Sequence, residues 1–412
     1  MQLNKKIRVL YVENGIGYGG AIICLRHLVR NLDRSKFEPM VITGRTGPDY
    51  EGIAHEAHWR YIRDRRVDIP NFQKSVETTR WVSRIPGLRS VLMQFLARAD
   101  DLINFLPFFI RLLWTTWRFK PAVIHANNEP LCNRASIIVG KFLGIPVICH
   151  VRGDQKGSRM MTRMFQLPDY FIAVSRWVSE SIGRMGVPQS KRTYIYDGIE
   201  LEKLDLKADG GTWRAQHGIK PSDFAVGLVG LLIPWKGQRV FLEAMQDLVK
   251  TIPELKAVIV GGTPDECMAY ERELRNIAQQ PGLAGHVIFT GHVGDMATAY
   301  NGLDVVVSAS TEPEPLGTMI IECLTMARPL IAPNHGGAVE MVESGATGLL
   351  FKPSDAHDLG AQVRKIHDDP EFRRKLGQAA RIKAMSTFSV EDHVRHVQDV
   401  YSNVLQNSRQ AT

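Results

Sequence analysis

The chain has 412 residues, 44% of them hydrophobic, and 51 Lys and Arg against 43 Asp and Glu give a net charge of +8. That make-up is a folded globular protein with room for two or three domains, and it excludes a disordered or fibrous chain. Its five cysteines are scattered with no C-x-x-C spacing, which argues against a metal cluster or a disulfide framework and for a reducing, cytoplasmic setting.

The opening charged pair runs straight into IRVLYVE (Ile7–Glu13), a short buried-strand pattern with no secretory leader before it. A turn with G-x-G-x-x-G at Gly15, Gly17 and Gly20 follows, then a helical stretch near Ile22–Leu32 and a second strand, PMVIT (Pro39–Thr43). Alone, those glycines read as a dinucleotide fingerprint, which expects an acidic residue at the end of the second strand for the ribose. The sequence has Thr43-Gly44-Arg45 there, which leaves an NADP-dependent reductase open but a NAD enzyme unsupported. HEAH at 55–58 is not H-E-x-x-H, and no D-x-D pair occurs anywhere, so no metal site is expected.

Arg80 to Lys120 mixes basic, aromatic and aliphatic residues, including Trp81, Arg84, Arg89, Arg98, Phe105, Phe108 and Phe109. Part of it must pack on a sheet, and the excess suits an interfacial helix on an anionic membrane or a wall for a lipid-linked acceptor. Its longest apolar run, from Leu102, is broken by Asn104, Pro107 and Arg111 and does not read as a membrane span. AVIHANN (Ala122–Asn128), PVICHV (Pro146–Val151) and YFIAVS (Tyr170–Ser175) continue at βα spacing. A polar stretch at 197–212 predicts a linker.

A second series then starts: strands at Phe224–Leu231, Leu255–Gly262, His286–Gly291, Asp304–Ser310, Pro329–Pro333 and Thr347–Phe351. The expected fold is α/β, two doubly wound domains, 1–196 and 213–389, each with a parallel sheet and facing a shared cleft. A final helix at about 390–405 is expected to return to the first domain. Residues 1–196 carry 30 Lys and Arg against 15 Asp and Glu, whereas the remainder carries 21 against 28. A basic front half suits an anionic partner such as a phospholipid surface or phosphorylated acceptor. Nucleic acid is not expected, since no motif for it is visible.

The most informative stretch is STEPEPLGTMIIECLTMARP. Pro313 and Pro315 hold Glu314 on an extended loop, and Gly317-Thr318 then open a helix carrying Glu322 about one turn in. Free N–H groups at a helix start suit a phosphate, and carboxylates accept hydrogen bonds from sugar hydroxyls. Together they read as a nucleotide-sugar site.

Glu314 and Glu322 closely resemble the E-x7-E signature of the family-4 retaining glycosyltransferases of the GT-B fold. VGLLIPWKG is similar to the family's G-R-L-x-P-x-K-G, with Lys236 matching the diphosphate-gripping lysine and Leu231 standing where the arginine is expected. Arg239 is the nearby cation that could substitute. HGGAVE from His335 resembles the segment after the second glutamate, and FTGHV from Phe289 the loop against the nucleotide base. The resemblance implies Glu322 on the nucleotide ribose and Glu314 on donor-sugar hydroxyls, with Lys236, Gly317 and Thr318 on the diphosphate. It also implies that Gly19 and Gly20 let the first domain's backbone approach the donor phosphates. Family members often carry a histidine after the strand that here reads CHVRG. His150 comes two residues early and Arg152 takes that position, so both are candidates. The implied function is metal-independent sugar transfer with retention, without a separate cofactor. The donor would be a nucleotide-diphosphate sugar and the acceptor a glycan or lipid-linked hydroxyl in polysaccharide or lipopolysaccharide synthesis. The alternatives are a non-catalytic scaffold, favoured by Leu231, and the NADP-dependent reductase.

Overall fold

The computed structural model describes residues 6–14, 20–78, 87–157 and 159–410. The described chain forms two compact units. Unit 1 runs to Val174 and adds Val178–Ile195 and the chain from Val394; unit 2 is Ser175–Trp177 and Tyr196–His393.

Unit 1 holds seven parallel strands: β1 (Ile7–Glu13), β2 (Phe37–Thr43), β3 (His58–Tyr61), β4 (Val123–Asn127), β5 (Val147–Val151), β6 (Tyr170–Ala173) and β7 (Arg192–Tyr194). Their order is β3-β2-β1-β4-β5-β6-β7. The chain reverses direction across the sheet between β1 and β4, the place where ligands bind in open α/β sheets. The edge strands β3 and β7 escape the sequence reading because HWRY and RTY are short and polar, as edges are.

Beneath this sheet lies a buried polar cluster. Tyr401, on the last helix (Val390–Gln410), donates its hydroxyl to Tyr11 at 3.1 Å and meets His125 Nδ1 at 2.7 Å. The His125 and His150 rings stand 5.2 Å apart, edge to face. Buried hydroxyls and imidazoles persist only when paired, so this cluster ties the last helix to β1 and β4 as hydrogen bonds, not grease alone.

Unit 2 has six parallel strands: β8 (Phe224–Val229), β9 (Leu255–Val260), β10 (Val287–Gly291), β11 (Val305–Val307), β12 (Leu330–Pro333) and β13 (Leu349–Phe351). Their order, β10-β9-β8-β11-β12-β13, places the switch point between β8 and β11. Alternation along β8 explains the two faces. Phe224, Val226 and Leu228 pack into one core with Phe241 and Met245 of the Gln238–Leu248 helix, while Ala225 and Val229 join Tyr300, Ile321 and Leu324 on the other. Phe241 is wholly buried, and truncating it to Ala costs about 3–5 kcal/mol by transfer and cavity together. The stretch expected as a linker instead belongs to unit 2. It holds buried Leu201 and leads into the Gly210–Gln216 helix, whose Trp213 packs in the same core.

Candidate functional site

The unit 2 site assembles at the switch point from three loops. The loop after β8 makes one short helical turn, Pro234–Lys236, and Gly237 follows with φ +74°. A Cβ on Gly237 would sit 1.9 Å from the Ala309 carbonyl oxygen, so only glycine lets this loop rest on the loop after β11. Thr311 N–H then donates to the Trp235 carbonyl at 2.8 Å, zipping the two together.

That contact brings Lys236 Nζ to 2.7 Å from Glu314 Oε2, with both side chains about five-sixths buried (17% and 15% exposed). Ser310 donates its hydroxyl to the other Glu314 oxygen. Lys236 also lies over the Trp235 ring, 4.5 Å from its centre. The third loop, after β12, supports the glutamate from below. Gly336 has φ +60°, and a Cβ there would come within 2.6 Å of the Glu314 carbonyl oxygen. Gly337 N–H donates to that same oxygen at 2.8 Å, and His335 Nε2 meets the Ser310 carbonyl at 3.0 Å. The glycines after His335 are therefore needed because two backbones touch there.

Three residues past Glu314, Gly317 leads into the Thr318–Thr325 helix and provides no side-chain cap. The amides of Thr318 and Met319 have no acceptor within their helix and carry the positive end of its dipole. Glu322, on this helix, accepts the Tyr300 hydroxyl at 2.9 Å. Burial pushes its carboxyl above the usual range, and the Tyr300 bond offsets part of that. Burial and the neighbouring Glu322 charge hold the Tyr300 phenol far above its ordinary value.

A pocket of about 200 Å³ opens beside this loop set, at the carboxyl ends of β9 and β10. Leu232, Gly261, Gly262, Phe289 and His292 are among its walls, and the Arg275 guanidinium lies 4.5 Å over the Phe289 ring. Gly230 separates this pocket from Lys236: a Cβ on it would be 3.6 Å from the lysine stem. A flat ring in the pocket and an anion at Lys236 are the ligand this layout fits.

Not every candidate joins the site. Arg239 pairs with Glu273 on the Met268–Ala278 helix, so it does not stand in for the missing arginine. Leu231 is half-buried and its carbonyl accepts Gln238 Nε2 at 2.8 Å. His150 is fully buried against His125, which makes it a core residue instead of a group that meets substrate. Arg152 is at the carboxyl end of unit 1's sheet, where its Nε donates to Asn127 Oδ1 at 3.1 Å. Asn127 and Asn128 in turn both donate to Glu13, the latter at 2.6 Å. Gly20 begins the Gly20–Arg30 helix, and among the described residues no neighbour stands where a Cβ would go or demands glycine there. Gly15, Gly17, Gly19, Trp81 and Arg84 lie outside the described residues.

Sequence reading missed Ser310, Tyr300, Glu13, Asn127 and Asn128. The signal for the last three was present as polar residues ending otherwise apolar strands, in YVEN and HANN. No group of three metal-ligating side chains is found among the described residues.

The family model described as Glycosyl transferases group 1 matches residues 209–383, and that described as Glycosyltransferase Family 4 matches 18–203. Among curated relatives, the capsular polysaccharide biosynthesis glycosyltransferase CapM of Staphylococcus aureus is 24% identical over 52% of this chain and 54% of its own. The lipopolysaccharide core biosynthesis mannosyltransferase LpsB of Rhizobium meliloti is 25% identical over 84% of this chain and 99% of its own. The first curated relatives are matched over about half their length, 48% and 54%. Among solved structures, Anabaena HepE in complex with UDP superposes with a TM-score of 0.80 at 21% identity, over 96% of this chain and all of that one. These matches favour neither the non-catalytic scaffold nor the reductase. Two family models that between them reach from residue 18 to residue 383, over two parallel-sheet units of the GT-B kind, place this chain in the family-4, group 1 glycosyltransferases.

Proposed function

We propose that this chain transfers a sugar from a nucleotide-diphosphate sugar to a hydroxyl of a glycan or lipid-linked acceptor, with retention at the anomeric carbon. The observation that carries this reading is the Lys236–Glu314 pair at the switch point of unit 2, beside the uncapped start of the Thr318–Thr325 helix. Lys236 and the Thr318 and Met319 amides receive the diphosphate, Glu314 the donor-sugar hydroxyls, and Glu322 the ribose. The Phe289 pocket takes the base. Relatives whose names refer to capsular polysaccharide and to lipopolysaccharide core, and a structural neighbour solved with UDP-glucose, support the donor and acceptor classes.

In the reaction, the bond from the anomeric carbon to the phosphate oxygen breaks as the acceptor oxygen bonds that carbon on the same face. The departing phosphate oxygen takes the acceptor's proton, so no strong base is needed. Lys236 offsets the charge that grows on the leaving diphosphate, a role worth about 3–4 kcal/mol for one well-placed donor. No metal or separate cofactor is part of this reading. None of the five cysteines is in a disulfide, which supports the cytoplasm as its setting, at the inner face of the membrane. The experiment is incubation with UDP- and GDP-sugars and a lipopolysaccharide or lipid-linked acceptor, with NMR of the new linkage. Diphosphate release with a retained anomeric centre is expected; an inverted centre, or no release with any donor, would overturn the reading.

A further inference from the structure

Unit 1 carries one long helical segment that is used on two faces. Leu88–Asp100 runs through a π-turn at Asp101–Phe105 into Leu106–Phe119 without leaving helical backbone angles. The π-turn has a cause in the sequence: Pro107 has no N–H to give to the preceding turn, and Leu106 N–H bonds five residues back to Asp101. Asn104 fixes it. Its side chain accepts from the Arg66 and Val67 amides at 2.8 and 3.1 Å and donates to the Val67 carbonyl and Asp100, each at 2.8 Å.

The inner face, with Phe108, Leu112 and Thr116, is buried. The outer face is not: Val91, Phe95, Leu102, Leu106, Ile110 and Trp117 are 41–67% exposed. Over the 26 steps from Val91 to Trp117 an unbroken α-helix turns about 7.2 times, which would swing the ends of this stripe nearly a quarter-turn apart. The extra residue taken up by the π-turn removes most of that swing and leaves about 20°. The stripe is therefore straight because of the π-turn, over about 40 Å.

A straight apolar stripe this long on an exposed helix calls for a cover. Charge says which. Residues 60–120 hold twelve Lys and Arg against five Asp and Glu. Among them Arg98 is 85% exposed, and the Arg60 and Arg118 guanidiniums flank Trp114 at 5.3 and 5.5 Å from its ring centre. Arginines beside exposed tryptophan and aliphatic residues match the headgroup layer of an anionic bilayer, where rings sit at the boundary and cations meet phosphate. No helix among the described residues is long and apolar enough to cross a membrane, so contact would be lateral.

The same segment lines a pocket of about 670 Å³ in unit 1. Asp100, Asn104, Phe105 and Phe108 form one wall, and Asn14 and Glu129 reach it from the carboxyl ends of β1 and β4. The structure assigns the Val91–Trp117 stripe as the surface that docks unit 1 on an anionic bilayer, with this pocket on the docking helix itself. The assignment rests on the proposed function only in making a lipid-linked acceptor the natural substrate; docking itself needs neither donor nor transfer.

The test is flotation of the full chain with phosphatidylcholine vesicles, with and without phosphatidylglycerol, for the wild type and for Phe95→Glu/Leu102→Glu/Trp117→Glu. The wild type is expected to float with the phosphatidylglycerol vesicles, less so as salt rises, and the triple variant to bind about tenfold or more weakly. Arg98→Ala/Arg118→Ala should lose the preference for phosphatidylglycerol while its circular dichroism stays unchanged. An unchanged nucleoside-diphosphate thermal shift in the triple variant shows that unit 2 is intact. A wild type that ignores both vesicles, or a triple variant that floats like the wild type, overturns the assignment. So does a stripe whose mutation only abolishes self-association in sedimentation velocity, since its cover would then be a second copy.

Discussion

The two units share a strand order around their switch points, yet their carboxyl ends hold different chemistry. In unit 2 three loops are pinned backbone to backbone through Gly237, Gly336 and Gly337, and they hold one ion pair, Lys236–Glu314. In unit 1 the same location holds a network of amides on a buried carboxylate, Arg152–Asn127–Glu13–Asn128, beside a much larger pocket. A common topology supplies the location, and loop contacts decide what stands there. A rigid charged grip suits an anion of fixed shape. A wide pocket lined by carboxylates, amides, rings and the cations Arg65, Arg134 and Lys156 suits a larger, polyhydroxylated or amphiphilic molecule.

Breaking the unit 2 grip should have the largest effect. Lys236→Ala and Glu314→Gln are each expected to lower transfer by about 100-fold or more while circular dichroism melting stays near wild type. Wild-type rates in both variants would remove the pair from the chemistry. Gly237→Ala attacks the scaffold instead: strain at φ +74° and the clash with Ala309 should cost about 2 kcal/mol in urea unfolding and weaken donor binding as well. In unit 1, Asn127→Ala leaves Glu13 and Arg152 short of a partner and should cost about 1–3 kcal/mol without altering nucleotide binding. Loss of nucleotide binding in that variant would erase the contrast between the units.

Glu322 gives a pH-dependent test. Its raised folded value means the folded chain holds that proton more tightly than the unfolded chain. The site's contribution to stability is therefore greatest below the ordinary carboxylate value and falls as pH rises through the raised one. Glu322→Gln keeps an acceptor for Tyr300 and removes the buried charge, so its melting temperature should exceed wild type at neutral pH and converge with it in acid. The opposite trend would contradict the assigned burial. Arg239→Ala marks the smallest effect: its exposed pair with Glu273 is worth about 0–1 kcal/mol, and transfer should be unchanged.

Much of this was legible before the fold, for reasons the residues make plain. Glu314 and Glu322 announce themselves because prolines and a glycine force a loop-to-helix junction between them, and Lys236 because it precedes a glycine in the loop after a strand. Those are local signals. Ser310, Tyr300 and the stacking of three loops are products of packing between segments far apart in the chain, and no local pattern encodes them. His150 misled for the same reason. A histidine at a strand end can face the cleft or the core, and only the packing of Tyr401, some 250 residues on, against neighbouring His125 shows that it belongs to the core. Arg239 was near Lys236 in sequence, but the helix that starts between them carries it to Glu273. The π-turn shows the middle case: Pro107 signalled an interruption, and the way the helix absorbed it became visible only with Asn104 in place.

The most direct test of the central claim is the melting temperature of wild type and Lys236→Ala against UDP, GDP and ADP. One nucleoside diphosphate should stabilise the wild type, by about 2.7 kcal/mol at a hundredfold excess over its dissociation constant, and the gain should largely vanish in Lys236→Ala. An undiminished gain in the variant would contradict the account, because the diphosphate would then be held somewhere other than the Lys236–Glu314 site.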